Sequence, residues 1–528
     1  MTTDDERVPV LIVGGGYAGL TMSLFLANQG IRSLLVDRHP GPPLQGRARG
    51  INVRTMEIYR SLGIADAIAD AGKPFENENG VAVCQTLADP EWQWLVDGDA
   101  PKSYPDHSAG HLVMADQTSV EPILMAAATS RGADQRFNIL MVSFAADRDG
   151  VTAVIEDRTT GRRRTVRADY LIAADGNRSG IREQVGVARP GYQVTQPLLS
   201  ILFDADLDDI ITKRALFWMV RNPEIGFGGF VTTATPGRWG LSIKHDPSTE
   251  PMDSISAERL ERAVRATVGK PGLDVRIVDV SAWEEAVGVA ERFRDGRVFL
   301  VGDAAHVWPP AGAMGANSAV QDAHNLAWKL AAVLNGQAGD GLLDSYEAER
   351  RPVALELSDL TVRRQRARAR HGEDLDGVDD LVCLLGQRYR SVAVLGAEHG
   401  EVFDTTVPVM AQPGARAPHL WLEHDRTRVA LHDLFNRTFV LLTDEAGEAW
   451  CAAAAAMPVP VRAYRIGTSD AELIDLDKAW PTRSGVREGG AVLVRSDGYV
   501  AWRSTDSTDN PQGTLAATLR HILDTPKS

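Results

Sequence analysis

The chain has 528 residues, of which 44% are hydrophobic and 24% charged, and its formal net charge is −15. This composition is typical of a globular protein of about two to four domains. The acidic balance argues against a nucleic acid or an anionic membrane as partner, because electrostatic repulsion would oppose the contact. The cysteines Cys84, Cys383 and Cys451 are far apart and odd in number, which favours neither a disulfide framework nor a metal site.

The N-terminal residues MTTDDERVP are acidic and lack the apolar core of a secretion signal. No apolar run approaches the ~18 residues that a membrane-spanning helix needs. We therefore expect a cytoplasmic protein.

The first motif is VPVLIVGGGYAGLTMSLFLANQGIRSLLVDR, which predicts a buried strand, a glycine turn, a helix and a second strand. Gly14, Gly16 and Gly19 match the G-x-G-x-x-G pattern of dinucleotide-binding folds, in which the second glycine lets a pyrophosphate approach the backbone. Asp37 ends the second strand, where a carboxylate binds a ribose hydroxyl. The cofactor-binding candidates here are Gly14, Gly16, Tyr17, Ala18, Gly19, Asp37 and Arg38.

Residues 186–285 contain alternating apolar segments separated by Gly, Pro and Asp, which predicts an antiparallel sheet inserted into the dinucleotide-binding domain. We expect this sheet to form the substrate cavity, with Trp218, Met219, Phe227 and Phe230 as candidate wall residues, alongside Phe217. An aromatic stripe is equally typical of a core. An insert at about 75–115, with Trp92, Trp94 and Tyr104, is expected to cover the other side.

The segment 297–331 predicts a strand ending at Gly302-Asp303, an extended Pro309-Pro310 pair, a small-residue loop and a helix. An unpaired carboxylate at the end of an apolar strand is costly, so Asp303 needs hydrogen-bond donors, which the hydroxyl groups of a bound ligand would supply. The alternative is that Asp303 caps the following helix. The small residues would let a bound ligand lie against the backbone, near a helix N-terminus that favours negative charge.

Three segments, at 47–64, 169–187 and 297–331, resemble the further motifs of class A flavin-dependent aromatic hydroxylases, which have the para-hydroxybenzoate hydroxylase fold. Within that family, FDADL at 203–207, RYRSVAVL at 388–395 and LVRSDGYVAWR at 493–503 are most similar to anthracycline and angucycline hydroxylases. The resemblance implies FAD, NADPH or NADH, and O2 as cofactors, and a small aromatic substrate. It also implies a monomer or homodimer without a metal.

The resemblance adds further candidate residues. It implies FAD contacts by Arg47, Gln117, Asp175, Asp303, Pro310, Gly312, Gly315, Ala316 and Asn317, and a substrate contact by Pro309. Asp175 belongs to an Asp-Gly motif near FAD and NADPH in relatives, although a structural turn explains it almost as well. His306 is expected to be structural. Ala313 stands where the family often has glycine, which affects backbone freedom.

We expect an α/β fold with a Rossmann-type FAD-binding domain (1–185 and 286–400), an inserted antiparallel-sheet substrate domain (186–285) and a thioredoxin-like C-terminal domain (405–528). The last contains Cys451 but no C-x-x-C, which excludes thiol redox chemistry. The basic run at 363–371 indicates a solvated helix face, with attraction of NADPH as the alternative.

The implied reaction is hydroxylation of a phenolic or polycyclic aromatic ring through a C4a-hydroperoxyflavin. The catalytic residues stay unknown because the cofactor carries the chemistry; Arg388 or Arg390 is a weak candidate for lowering the pKa of a substrate phenol. Three alternatives remain open: a Baeyer–Villiger oxygenase, a FAD-dependent dehydrogenase and a non-catalytic flavin-binding protein.

Overall fold

The computed structural model describes residues 5–46, 48–78, 80–96, 103–309, 312–369 and 379–525. The helices are α1 (Tyr17–Asn28), α2 (Val53–Ser61), α3 (Ala65–Gly72), α4 (Gln117–Thr129), α5 (Gly180–Gln184), α6 (Ala257–Val268), α7 (Met314–Leu334), α8 (Asp344–Ala369), α9 (Asp380–Leu385), α10 (Glu448–Ala455), α11 (Trp480–Arg483) and α12 (Pro511–Ile522). Short 3-10 turns lie at Lys73–Phe75, Met252–Ser254, Gly302–Ala304, Asp340–Leu343 and Leu431–Leu434.

The strands form three large sheets and one small pair. They are β1 (Asp5–Val13), β2 (Ser33–Asp37), β3 (Arg49–Ile51), β4 (Val81–Cys84), β5 (Gln93–Val96), β6 (Val113–Asp116), β7 (Asp134–Phe137), β8 (Ile139–Asp147), β9 (Gly150–Asp157), β10 (Arg163–Ala173), β11 (Gln193–Asp204), β12 (Phe217–Asn222), β13 (Gly226–Thr232), β14 (Arg238–Lys244), β15 (Arg276–Val289), β16 (Arg294–Asp295), β17 (Val298–Leu300), β18 (His306–Val307), β19 (Trp421–His424), β20 (Thr427–Ala430), β21 (Phe439–Thr443), β22 (Val461–Gly467), β23 (Leu473–Asp475), β24 (Ala491–Val494) and β25 (Val500–Ser504).

The first sheet has the order β16-β17-β10-β1-β2-β7, and β9 and β8 extend it from β10. Its centre, from β17 to β7, is parallel. Val10, Leu11 and Ile12 of β1 are fully buried, as expected for a parallel strand covered on both faces. Helices α4 and α7 pack against α1. Because β1 and β17 both run parallel to β10, their C-terminal ends lie at the same edge of the sheet, where the predicted motifs follow them.

The second sheet has the order β18-β15-β11-β14-β13-β12-β4-β5 and is antiparallel except where β4 runs parallel to β12. The segment that was expected to cover the other side of the cavity instead supplies β4 and β5 to this sheet. Trp92 packs edge-to-face on Trp218, with ring centroids 5.7 Å apart. The prediction of a separate cover was therefore wrong for the strand part of the insert, because its apolar residues complete a sheet edge.

The third sheet, in the C-terminal part of the chain, has the order β20-β19-β23-β22-β21-β24-β25. Strands β21 and β22 are parallel and connected through α10, whereas β24 and β25 are antiparallel additions followed by α12. The β24–β25 turn, residues 495–499, is buried: Asp497 accepts hydrogen bonds from Trp328 Nε1 (3.2 Å) and Arg495 Nε (2.9 Å). The C-terminal sheet is thereby joined to α7 of the first domain.

Candidate functional site

The glycine loop, residues 14–19, is built by close backbone contacts. Gly14 has a φ of +113°, and a β-carbon placed on it would lie 2.1 Å from the Ala174 carbonyl oxygen. A β-carbon on Gly19 would lie 1.8 Å from the Gly14 carbonyl oxygen. Gly16 differs, because it has only Glu121 Oε1 nearby, at 3.9 Å from such an atom. Gly14 and Gly19 therefore pack strand against helix, and Gly16 leaves room for a ligand.

The same loop begins α1, whose N-terminal N–H groups have no side-chain cap. Such a helix terminus favours an anionic group, and a diphosphate fits both the charge and the space beside Gly16. Tyr17 and Ala18 are the first residues of the helix; Tyr17 is buried and Ala18 half-buried. The residues present thus fit the dinucleotide part of FAD.

Asp37 lies at the end of β2 and braces the glycine loop. Its carboxylate accepts hydrogen bonds from the Gly15 N–H (2.6 Å) and the His39 N–H (2.7 Å). Neighbouring Arg38 is exposed. The predicted ribose acceptor is therefore at the sheet edge next to the loop.

Gln117 begins α4 and faces the segment before β3. Its backbone N–H donates to the Ala48 carbonyl oxygen (3.1 Å), and its side-chain oxygen accepts from the Ala48 N–H (3.4 Å). Its Nε2 donates to Glu121 Oε1 at 2.6 Å. Arg47, predicted beside it, lies outside the described residues.

Asp175 serves the turn after β10. It accepts a hydrogen bond from the Ile181 N–H (3.2 Å) at the start of α5, and burial raises its pKa. This contact supports the structural-turn interpretation and leaves its FAD contact a prediction. Arg189 donates to the main-chain oxygens of Asn177 (3.0 Å) and Asp303 (3.1 Å), which ties the Asp-Gly turn to the Gly-Asp motif.

Asp303 is exposed, so the expectation of a buried carboxylate was wrong. The apolar strand β17 ends at Leu300, and a 3-10 turn lifts residue 303 out of the sheet. The next helix, α7, begins at Met314, which excludes Asp303 as its N-cap. A β-carbon on Gly302 would lie 2.9 Å from that of Ala18 and 3.1 Å from that of Ala319, so this motif packs against both α1 and α7.

A set of buried polar side chains stabilises the Gly302-Asp303 motif through hydrogen bonds to Asp322. Asp322 of α7 accepts from the Gly302 N–H (3.1 Å) and from Arg350 Nε (2.8 Å), and its other contact is His306 Nε2 at 2.6 Å. The His306 ring stacks on Trp308 at 4.5 Å. These contacts make His306 a support for Trp308, which precedes the loop 309–313; we call this segment the flavin loop, and residues 310–311 of it lie outside the described residues.

Asn317 fastens the flavin loop to β3. Its Nδ2 donates to the carbonyl oxygens of Gly50 (3.0 Å) and Ala313 (2.7 Å), and its Oδ1 accepts from the Asn52 N–H (3.0 Å). Its side chain is thus structural, and a direct FAD contact stays a prediction. Gly312 is exposed, and Gly315 and Ala316 are half-buried.

Ala313 precedes α7 with a φ of +53°, a left-handed conformation that costs an L-residue roughly 1–2 kcal/mol. The first N–H groups of α7 have no side-chain cap. Pro309 is buried, and Pro310 lies outside the described residues.

The second sheet separates the predicted wall residues into two sets. Trp218 and Phe230 pair across β12 and β13, contact each other at 5.6 Å and pack against α6 in a closed core. Their assignment as cavity wall was wrong, because adjacent strand residues point to opposite faces and α6 covers this one. We call it the helix-covered face.

Met219 and Phe227 lie on the opposite face, which we call the open face, together with Phe217 and Val231. All four are partly exposed. Gln45 reaches the open face from the first domain, where its Nε2 donates to Asp279 Oδ2 at 2.8 Å. The open face therefore lies towards the FAD-binding elements.

Arg388 and Arg390 lie elsewhere. Arg388 pairs with Asp404 (2.9 Å) and Gln412, and Arg390 donates to the carbonyl oxygens of Glu398 (2.7 Å) and Glu401 (2.9 Å). These contacts hold a loop between the first and third sheets. They give no support to a role at the substrate phenol.

Sequence reasoning did not identify Glu121, Arg189 or Asp322. For Glu121 a signal existed, because it follows Gln117 by four residues and so lies on the same helix face. Arg189 and Asp322 make their contacts across the fold. In the described part of the chain no group of three or more metal-ligating side chains occurs, and no helix is long and apolar enough to cross a membrane.

Comparisons with known proteins agree with this geometry. The family described as FAD binding domain matches residues 7–361, and the family described as aromatic-ring hydroxylase, C-terminal, matches residues 410–526. A putative polyketide hydroxylase of Streptomyces halstedii is 41% identical over 98% of this chain and 97% of its own. Tetracenomycin B2 monooxygenase-dioxygenase of Streptomyces olivaceus is 40% identical over 98% and 99%.

Among solved structures, the ternary complex of aklavinone-11 hydroxylase with FAD and aklavinone is similar, with a TM-score of 0.85 and 36% identity. The match covers 99% of this chain and 100% of that one. The likeness therefore extends over all three sheets.

Proposed function

The chain belongs to the FAD-dependent aromatic-ring hydroxylases and is a FAD-dependent monooxygenase, and on that basis we propose that it hydroxylates a polycyclic phenol of the aromatic polyketide type. NADPH or NADH would reduce the flavin, and O2 would supply the oxygen atom. The open face of the second sheet carries this proposal.

The centre of the open face has small side chains. Gly229 and Ser242 pair across β13 and β14, and Gly240 and Ser200 lie beside them. The Phe217 ring lies over Gly229 and the Val231 side chain over Gly240, since a β-carbon on these glycines would lie 2.5 Å from Phe217 Cζ and 2.9 Å from Val231 Cγ2. Together with Met219 and Phe227 they give the open face a mainly apolar surface with few polar groups, which suits a fused-ring ligand.

The polar groups of this face are connected. Trp283 Nε1 donates to Ser200 Oγ at 2.8 Å, and Ser200 Oγ lies 2.9 Å from Ser242 Oγ. The indole N–H of Trp283 can only donate, so Ser200 Oγ accepts this hydrogen bond. The Ser200 hydroxyl can then donate its own hydrogen bond to Ser242 Oγ. When Ser200 donates to Ser242, the Ser242 hydroxyl hydrogen is available to a phenol or carbonyl oxygen of the substrate.

Bound FAD supplies the activated oxygen, and the protein binds, orients and shields it. The glycine loop and the α1 N-terminus would hold the diphosphate, with Asp37 at the ribose and Gln117 and Asp303 along the ribityl chain. The uncapped N-terminus of α7 favours negative charge on the reduced ring. Buried Trp308 and Pro309 would keep water from it.

The C-terminal part, residues 405–528, is proposed to be a thioredoxin-like unit with a structural role. The parallel β21–α10–β22 unit, the antiparallel β24 and β25 and the final α12 support this assignment. The buried turn 495–499 supports the role, since it contacts α7.

To test this, the protein is incubated with NADPH, aklavinone and isotopically labelled O2, and the products are analysed by mass. A parallel reaction uses para-hydroxybenzoate as the single-ring substrate. We expect aklavinone to gain one labelled oxygen with its rings intact, and the single-ring phenol to react at least about tenfold more slowly, a difference of about 1.4 kcal/mol in the barrier. A lactone would identify a Baeyer–Villiger oxygenase, oxidation without label a dehydrogenase, and no consumption of NADPH a non-catalytic flavin protein.

A further inference from the structure

Glu121 is a fully buried carboxyl group beside the glycine loop. Its Oε1 accepts the 2.6 Å hydrogen bond from Gln117 and is the atom nearest to the open side of Gly16. Its Oε2 is buried and has no hydrogen-bond partner among the described residues. A buried carboxylate with one unpartnered oxygen is costly, whereas the neutral acid is tolerated.

The surroundings disfavour a charge at this position. Asp37 at the end of β2 adds a negative charge. Asp116 at the end of β6 is paired with Arg49 of β3 at 3.0 Å, and Tyr17 of α1 and Tyr59 of α2 contribute buried phenols. From α3, Asp66 and Asp70 are exposed, and from β7, Asp134 and Arg136 form a surface cluster with Glu6. Arg47 lies outside the described residues. Burial raises the pKa of Glu121 to about 7, with a smaller contribution from Asp37, and outweighs the lowering effect of the hydrogen bond from Gln117.

Binding of FAD would bring two phosphate charges to the N-terminus of α1, close to Glu121. Like charges in a poorly screened interior repel strongly, so bound FAD favours the uncharged form of the carboxyl group. Oε1 accepts from Gln117 Nε2 in either form of the carboxyl group, and this bond directs Gln117 Oε1 to the Ala48 N–H. The uncharged form keeps the bond without placing a buried negative charge beside the phosphates. Glu121 thus acts through Gln117 and is a positioning residue.

We propose that Glu121 is an uncharged carboxylic acid in the FAD-bound chain, where it positions the amide of Gln117, and that FAD binding therefore takes up a proton and weakens in alkaline solution. This inference rests on the chain binding FAD. Binding is tightest below the pKa of free Glu121 and is lost progressively as the pH rises through it.

The experiment measures the dissociation constant of FAD from about pH 6 to about pH 9. This range lies above the ordinary pKa of Asp and below that of Tyr. Holoenzyme is diluted at each pH, free flavin is separated by ultrafiltration and its fluorescence is measured. The variant is Glu121→Gln, which keeps an uncharged group of the same shape. The control is Glu448→Gln, an exposed change on α10. Asp37 is present in all three chains, so its effect cancels.

We expect the wild-type and control constants to rise about tenfold or more over this range, and that of Glu121→Gln to change by less than about twofold. Equal pH profiles in the variant and the wild type, or a flat wild-type profile, overturn the proposal. Absence of FAD binding at every pH would also overturn the proposed function, which separates the two failures.

A second measurement needs no variant. Calorimetric titration of the flavin-free chain with FAD, in two buffers of different ionisation enthalpy at about pH 8, counts the protons taken up. Net uptake of a large fraction of one proton supports the proposal, and zero uptake overturns it.

Discussion

His306 Nε2 lies 2.6 Å from Asp322 Oδ2, and both side chains are completely buried beneath the Gly302-Asp303 motif. The pair connects the strand end that carries the motif to α7, whose N-terminus follows the flavin loop. The geometry of the flavin site therefore depends on a buried contact between two side chains beneath it.

Replacing Asp322 by Asn leaves His306 and Arg350 without their carboxylate. We expect a loss of about 3–5 kcal/mol in the free energy of unfolding, because an unpaired buried charge remains. Denaturant unfolding measures it. The control Asp295→Asn removes the exposed partner of Arg292 and is expected to have no measurable effect. A variant as stable as the wild type would contradict the prediction.

The Asp322→Asn variant should also differ from the wild type in how the free energy of unfolding falls at acidic pH. Burial raises the pKa of Asp322, but the nearby charges of His306 and Arg350 prevail and hold it at about 2, below the ordinary value of about 3.9. Its stabilisation is therefore present above about pH 4 and lost as the pH falls towards about 2. Unfolding measured between these limits should show a smaller decline in Asp322→Asn than in the wild type.

Ala313→Gly is expected to stabilise the chain by about 1 kcal/mol, because it relieves the left-handed φ of +53°. The matched control, Ala449→Gly on the exposed surface of α10, should instead destabilise by about 0.5–1 kcal/mol through the helix propensity of glycine. Thermal unfolding of both variants checks the signs. A loss of stability in Ala313→Gly would contradict the claim that the left-handed backbone of Ala313 is strained.

The two faces of the second sheet predict opposite effects. Met219→Ala, on the open face, should raise KM for a polycyclic phenol about tenfold, or about 1.4 kcal/mol, with little loss of stability. Trp218→Ala, on the helix-covered face, should cost about 3–5 kcal/mol of stability while the folded fraction keeps its KM. Steady-state kinetics and denaturant unfolding on both variants separate these results. An unchanged KM in Met219→Ala would exclude that side of the open face as a substrate contact.

The turn 495–499 provides the fifth prediction. Arg495 pairs with Glu349 and Asp497, all buried, so Asp497→Asn should lower the free energy of unfolding by about 3 kcal/mol and weaken the link between α7 and the C-terminal sheet. Limited proteolysis should release a C-terminal fragment sooner. Asp506→Asn, which breaks the exposed pair with Arg487, is the control and should behave as wild type.

The sequence alone determined the features that depend on local backbone requirements. Gly14, Gly16 and Gly19 after an apolar strand, Asp37 at the end of the next strand and the Gly302-Asp303 motif all predicted a dinucleotide site. Family motifs then identified the cofactor as FAD and the activity as aromatic hydroxylation. FAD as cofactor was confirmed, whereas the FAD contacts of the individual residues stay predictions. Local patterns reach this far because a tight turn or a helix N-terminus constrains only the residues next to it.

Only the tertiary structure decided which surface each side chain faces. Trp218 and Met219 are neighbours, so strand alternation places them on opposite faces, but only the position of α6 determines which face is core. Asp303 is exposed because a 3-10 turn follows β17, and the burial of Glu121 and Asp497 depends on helices distant in sequence. Burial and charge pairing are properties of the assembled fold, which the local pattern does not contain.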